Sequence, residues 1–178
     1  MGAIVEVLAS GADHGLGPGV PVSQLDHALQ TAALLAHHHR GDDELAVAGL
    51  VHDIGHLLPG GTDEAHASEA AGAVRWALGE RVAATVGLHV EAKRYLVATE
   101  DAYGGVLTTD SAVSLGRQGG AMTGEEAAAF LARPWGADAV ALRRADDSGK
   151  ASGLVVGKRA SWVPILQEVS RRAGASGG

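Results

Sequence analysis

The 178 residues include 14 basic and 21 acidic side chains, a net charge of −7 with His neutral, and are 46% apolar but only 3% aromatic. A chain of this length suggests one domain with a real core, built on Ala, Val and Leu rather than rings, and its 26 Gly and 5 Pro fall short of a disordered composition. The absence of Cys excludes disulfides, thiolate metal sites, iron–sulfur clusters and a thiol nucleophile, and the acidic balance argues against nucleic acid as a partner.

Residues 1–21 read as an N-terminal segment without an assigned element. Ser23 can cap a helix that carries Leu25, Leu29, Ala32, Ala33 and Ala36 at helical spacing and ends at Gly41. Asp42 or Asp43 caps a second helix through Leu45, Val47, Ala48, Leu50, Val51 and Ile54, stopped by Pro59-Gly60-Gly61. A third helix is expected over 64–78 and a fourth over 80–96, followed by a loop over 98–110. A shorter helix ends before Gly119-Gly120. Thr123-Gly124-Glu125-Glu126 has capping-box form and opens a helix to Leu131, broken by Pro134. Helices over 137–147 and 160–172 complete the pattern, with Pro164 near the start of the last one. No alternating strand pattern or internal repeat is present. The fold class is all-α: a single helical bundle over 22–170, with 171–178 as a flexible tail.

No basic and apolar leader opens the chain, Glu6 stands where a myristoylation signal needs Ser or Thr, and no apolar run approaches the roughly 18 residues of a membrane span. The expectation is a soluble, cytoplasmic protein with no membrane partner. Nothing in the sequence bears on its oligomeric state.

The nine His carry the chemical signal. His52-Asp53 lies within the apolar Leu50-Val51-His52-Asp53-Ile54-Gly55-His56, near the expected end of the second helix. A carboxylate flanked by Val and Ile is costly to bury unpaired, and a bound cation offsets that cost. On a helix, adjacent side chains point about 100° apart, so the pair can flank one ion while Asp53 reaches a second. His27, His66, His89 and Asp146 fall on other helices, and facing helices can build a dimetal centre in a bundle core. Imidazole and carboxylate suit Fe, Mn, Co, Ni or Zn. A single His on an apolar face is more often a hydrogen-bonded core residue. The set of six is what points to metal, whereas His37-His38-His39 reads as a solvated helix end.

His27, His52-Asp53 and Asp146 resemble the four-part signature of the HD-domain superfamily, and the added His66 and His89 resemble its dinuclear branch. His89-Val90-Glu91-Ala92-Lys93-Arg94-Tyr95-Leu96, Gln118-Gly119-Gly120-Ala121-Met122 and Leu142-Arg143-Arg144-Ala145-Asp146-Asp147-Ser148-Gly149-Lys150 resemble stretches of the HD-domain phosphonate oxygenases, relatives of myo-inositol oxygenase. The likeness runs from about Val22 to Leu166. It implies two Fe ions as an Fe(II)/Fe(III) pair, O2 as co-substrate, and oxidative cleavage of a C–P or C–C bond in a small hydroxylated, anionic substrate. His27, His52, Asp53 and Asp146 resemble the ligands of one iron, and His66 and His89 those of the other, with Asp53 bridging. The Asp-x-x-x-Lys pattern with Lys150 favours Asp146 over Asp147.

His56, Lys93 and Arg143 resemble substrate contacts, and Ser111, Ser114 and Gln118 could add hydrogen bonds. Asp53, His56 and Lys93 form the expected catalytic group. A phosphonate needs cationic donors, and Arg supplies a bidentate fork. The relatives' lid Tyr and amine-contacting Glu, a short way before the first His, have no counterpart in Gly15-Leu16-Gly17-Pro18-Gly19-Val20, so the likeness does not extend to an aminoalkyl substrate. Two other readings compete: a metal-dependent phosphohydrolase of phosphomonoesters, the commoner HD activity, and a non-catalytic binding domain. The scarcity of base-stacking aromatics argues against a nucleotide substrate, and six ligand-type residues argue against a degenerate site.

Overall fold

The computed structural model describes residues 1–17, 20–62, 65–105 and 107–176. Among them are helices α1 (Gly2–Ser10), α2 (Gln24–His38), α3 (Asp43–Val51), α4 (His66–Thr99), α5 (Thr109–Arg117), α6 (Gly124–Leu131), α7 (Gly136–Ser148) and α8 (Arg159–Ser176). Short 3-10 turns cover Gly11–Asp13, Ile54–Leu57 and Tyr103–Gly105. The only β pairing among these residues is an isolated antiparallel bridge between Gly15 and Ser23. No helix among them is long and apolar enough to cross a membrane.

The caps form as their residue types require. Ser23 Oγ accepts from the Asp26 backbone N–H, Asp42 accepts from that of Leu45, and Thr123 and Glu126 complete a reciprocal capping box. The expected third and fourth helices meet at Gly79, whose φ of 87° and ψ of 172° break α4 in two. A straight helix would set His66 and His89, 23 residues apart, roughly 34 Å from each other. Their Nε2 atoms are 3.1 Å apart, so the two halves fold back on one another. The expected start of the third helix at Glu64 lies outside the described residues.

The expected loop over 98–110 holds the end of α4, the Tyr103–Gly105 turn and the start of α5, and three further boundaries differ from the sequence expectation. First, α3 stops at Val51: His52 caps it and Asp53 (φ −102°, ψ 7°) sits in a turn, although the apolar pattern continues to Ile54. His52 and Ile54 are buried whether the backbone is helical or turning, so periodicity does not register the break. Second, α1 forms within the unassigned N-terminal segment. Ile4 and Leu8, one turn apart, pack into the main core with no side-chain cap to announce the helix. Third, α8 continues through Ser176, beyond the expected end at Arg172.

α4 lies centrally, packing on α3, α7 and α8, while α2 packs on α3 and α7. The core holds Leu35, Leu50, Leu78, Leu142 and Leu166 among Ala32, Ala48, Ala70 and Ala83, small residues that let helix backbones approach. At Gly49 an added Cβ would lie 2.6 Å from Leu35 Cδ1, a measure of how closely α3 sits on α2. This packing carries the C-terminal end of α3, the first turn of α2, the last turn of α7 and both halves of α4 to one point.

Candidate metal centre and substrate cavity

His27 on α2 and His52 at the end of α3 are fully buried. His27 Nδ1 donates to the Gly149 carbonyl at 2.8 Å, and His52 Nδ1 donates to that of Gly49 at 2.9 Å. A carbonyl only accepts, so in each neutral ring the proton is on Nδ1 and Nε2 carries a lone pair. These two Nε2 atoms lie 3.2 Å apart. Asp146 Oδ1 is 3.1 Å from the Nε2 of His27, and Asp53 Oδ2 lies 3.6 Å from His27 and 3.4 Å from His52. Four acceptors thus converge.

A second set repeats the arrangement. His89 Nδ1 donates to the Val86 carbonyl at 2.7 Å, and His66 and His89 turn their Nε2 atoms together. Asp53 Oδ1 lies 3.7 Å from each of them. Asp53 therefore divides its oxygens, Oδ2 toward one His pair and Oδ1 toward the other. His27, His52 and Asp53 form one group able to hold a metal ion, and Asp53, His66 and His89 form another.

The electrostatics fit cations at both points. Burial opposes ionisation of Asp53, but the facing His52 and His66 outweigh it and hold the carboxyl far below its usual range. For Asp146, burial is likewise outweighed, here by Arg143 and Lys150. Burial, with His66 and His52 alongside, pushes His89 down to about 3, so its ring stays neutral and free to ligate. Burial also lowers the pKa of His52, yet Asp53 and Asp146 raise it more. That nest of acceptors draws a positive charge, and a metal ion can take the proton's place. The donor set of nitrogen and carboxylate oxygen without sulfur suits a first-row transition metal.

Beside the cluster lies an inner cavity of about 130 Å³, whose walls include Asp53, His56, His66, His89, Lys93, Ser111, Ser114, Gln118, Arg143, Asp146 and Lys150. Every site residue expected from the sequence lines it except His27 and His52, which are fully buried. Lys93, a turn beyond His89, donates to Ser114 Oγ at 2.6 Å. Burial and the Arg143 charge lower its pKa to about 8. The His56 ring stacks on His66 at 4.1 Å between centroids. Gln118 Oε1 is buried and has no hydrogen-bond partner among the described residues. An outer chamber of about 340 Å³ shares Asp53, His56, Ser111 and Lys150 with the inner cavity and is walled by His14, Gln24 and Thr108. Gly15, Leu16, Gly17 and Val20 border it; Pro18 and Gly19 of the same stretch lie outside the described residues.

The geometry separates Asp146 from Asp147. Asp146 faces His27, while Asp147 turns away to accept from Tyr103 and Arg143. Sequence reasoning assigned no role to Tyr103 or Asp147. No local signal could have linked Tyr103 to α7, 40 residues on. Lys150, which completes the Asp-x-x-x-Lys pattern, has its Nζ 3.0 Å from Asp146 Oδ1 and borders both cavities.

The HD-domain family model matches residues 25–130. The chain belongs to the HD-domain family. It is similar to the hydroxymethylphosphonate dioxygenase of Gimesia maris, 40% identical over 156 residues that cover 83% of this chain and 74% of that protein. It is also similar to the glycine-betaine-forming 1-hydroxy-2-(trimethylamino)ethylphosphonate dioxygenase of Leisingera caerulea, 32% identical over 166 residues, or 88% of this chain and 84% of that one. In HD-domain terms, the paired His52-Asp53 stands at the junction of the two His sets, which makes Asp53 the residue common to both.

Proposed function

We propose that this HD-domain protein is an O2-dependent oxygenase that cleaves the C–P bond of a small hydroxylated phosphonate. The observation that carries the reading is Asp53, whose two carboxylate oxygens each face a separate pair of His Nε2 atoms. The similarity to two phosphonate dioxygenases supplies the reaction class. Two Fe ions, as an Fe(II)/Fe(III) pair, are the proposed cofactor. His27, His52, Asp53 and Asp146 would hold one and His66 and His89 the other, with Asp53 shared. When bound, such a pair would activate O2 and relay to it the electrons given up by the carbon bearing the hydroxyl.

The protein's own groups bind and orient the substrate. Lys93 presents an ammonium to the inner cavity, held toward Ser114, and Lys150 adds a second positive charge beside Asp146. A phosphonate placed there is charge-matched, with Ser111, Ser114 and Gln118 as hydrogen-bonding neighbours. Arg143 borders the same space, its guanidinium engaged by Asp146, Asp147 and Tyr103. His56, stacked on His66 where the two cavities join, is placed to exchange a proton with the substrate hydroxyl. For hydroxymethylphosphonate the balance is one O2 consumed per formate, phosphate and proton released.

The test is iron-loaded protein incubated with hydroxymethylphosphonate in an oxygen-electrode cell, with phosphate measured alongside. The expected result is phosphate and O2 in a 1:1 ratio, together with an S = 1/2 electron paramagnetic resonance signal that the substrate perturbs. Undiminished turnover without O2 would overturn the reading. Hydrolysis of phosphomonoesters by Mn- or Co-loaded protein under the same anaerobic conditions would give the phosphohydrolase reading in its place.

A further inference from the structure

Arg143 is 5% exposed on α7, and its guanidinium is bound on two sides. Nη1 lies 2.9 Å from Asp146 Oδ2. Nη2 and Nε both reach Asp147, through Oδ1 and Oδ2, and Nε also lies 3.2 Å from the Tyr103 hydroxyl. That hydroxyl in turn donates to Asp147 Oδ2. Tyr103 is itself buried, on the 3-10 turn after α4. The result is a closed ring of Tyr103, Asp147 and Arg143 that grips one oxygen of Asp146. The other oxygen, Oδ1, is left facing His27 and Lys150.

We propose that Tyr103 and Asp147 are positioning residues for the metal centre: through Arg143 they hold Asp146 Oδ2, so that Asp146 offers a single oxygen, Oδ1, to the ion beside His27. This rests on the reading of Asp146 as a metal ligand. The argument is geometric and electrostatic. Asp146 is buried, and without a fixed partner its carboxylate could rotate to offer either oxygen or both. Arg143 alone would be a mobile clamp, since a guanidinium on a flexible stem can pair in several ways. Asp147 takes two of its donor nitrogens at once, which fixes the plane of the fork. The Tyr103 hydroxyl fixes Asp147 from outside α7. The chain of contacts runs from a turn after α4 to the ligand on α7, so it also ties the α4 His pair to the α7 carboxylate. Groups of this kind around a ligating side chain set its orientation and basicity, and their loss typically weakens metal binding by about 10–100-fold.

The experiment compares Tyr103→Phe and Asp147→Asn with the unaltered protein, all iron-loaded. The readouts are iron retained per chain after dialysis, the rate of iron loss to a chelator, the electron paramagnetic resonance spectrum, and kcat and KM for hydroxymethylphosphonate. Tyr103→Phe removes one hydroxyl and keeps the ring, so it tests the idea even where Asp147→Asn destabilises the fold by leaving Arg143 half-paired. Iron loss should quicken by about 10-fold in Tyr103→Phe and more in Asp147→Asn, with an altered spectrum at matched iron content. kcat should fall while KM stays within about two-fold, because the ring serves a ligand rather than the phosphonate. Asp147→Glu, which keeps the charge, should recover part of the retention. Unchanged iron loss and spectrum in Tyr103→Phe would overturn the proposal, as would a rise in KM with kcat intact. If the unaltered protein retains no iron, the metal reading itself fails and this inference with it.

Discussion

The Nε2 atoms of His27 and His52 lie 3.2 Å apart, each with its ring's other nitrogen bound to a backbone carbonyl. Two lone pairs at that separation repel unless a positive charge stands between them. Asp53 Oδ2 and Asp146 Oδ1 add negative charge at the same point. The backbone thus orients two imidazoles toward a cation through carbonyls of Gly49 and Gly149 that cannot themselves move without disturbing α3 and α7.

Removing the shared carboxylate should dismantle both sets together. Asp53→Ala is expected to retain no metal and to show no turnover, because both His pairs lose the carboxylate they share and Asp146 alone remains beside His27 and His52. Elemental analysis after dialysis measures this. Retention of one tightly held ion would show that the two sets are independent. Metal binding to the folded state alone should also stabilise the chain, by about 2.7 kcal/mol at a free metal concentration of 100 Kd. A chelator is therefore expected to lower the melting temperature of the parent protein and to leave that of Asp53→Ala unmoved.

If Lys93 holds the phosphonate as proposed, it sets a pH limit on substrate capture. Burial and the nearby Arg143 lower its pKa to about 8, so in the free enzyme the ammonium is present below that pH and lost above it. kcat/KM for a phosphonate should fall as the pH rises through about 8. Lys93→Ala should keep its metal and lose the charge-assisted bond, worth about 1.5–3 kcal/mol, or roughly 10–100-fold in KM. Lys93→Arg should move the alkaline limb upward. A limb that stays in place in Lys93→Arg would assign the titration to another group.

Gly55 lies where the turn after Asp53 meets the start of α4, and a Cβ there would press into the His66 backbone carbonyl, with its Cα only 2.8 Å away. Backbone cannot give way as a side-chain tip can. Gly55→Ala should cost at least about 1–3 kcal/mol and draw His66 away from Asp53. The check is a thermal melt together with metal content, both of which should fall.

Gly79 carries φ 87° and ψ 172°, a region open in practice only to glycine. Gly79→Ala should destabilise the fold by about 1–3 kcal/mol while leaving the chemistry of the cluster unaltered wherever the protein stays folded. Denaturant unfolding gives the first figure and iron stoichiometry the second. A stable variant with normal stoichiometry would show that the reversal of α4 does not depend on this backbone geometry.

Much of the architecture was legible in the sequence because it is written locally. Ser23, Asp42 and Thr123 announce their helices through short-range side-chain to backbone bonds, and Gly79 announces the break in α4. The six candidate ligands could be named because buried His and Asp are costly without a partner, and a set of them spread over an apolar pattern points to a shared ion. The exit from α3 at Val51 was not legible: the apolar pattern runs on to Ile54, and burial alone does not distinguish a helix from a turn.

What the sequence determined by itself was the helical fold, the family likeness and the kind of chemistry its His and Asp can support. Only the tertiary structure decided how those groups are used. Asp53 divides its two oxygens between His pairs, Asp146 rather than Asp147 faces His27, and Arg143, expected as a substrate fork, is largely engaged by Asp146, Asp147 and Tyr103. The reason is physical. Periodicity and capping act within a few residues, whereas the direction of a buried polar side chain is set by partners that packing brings from other helices.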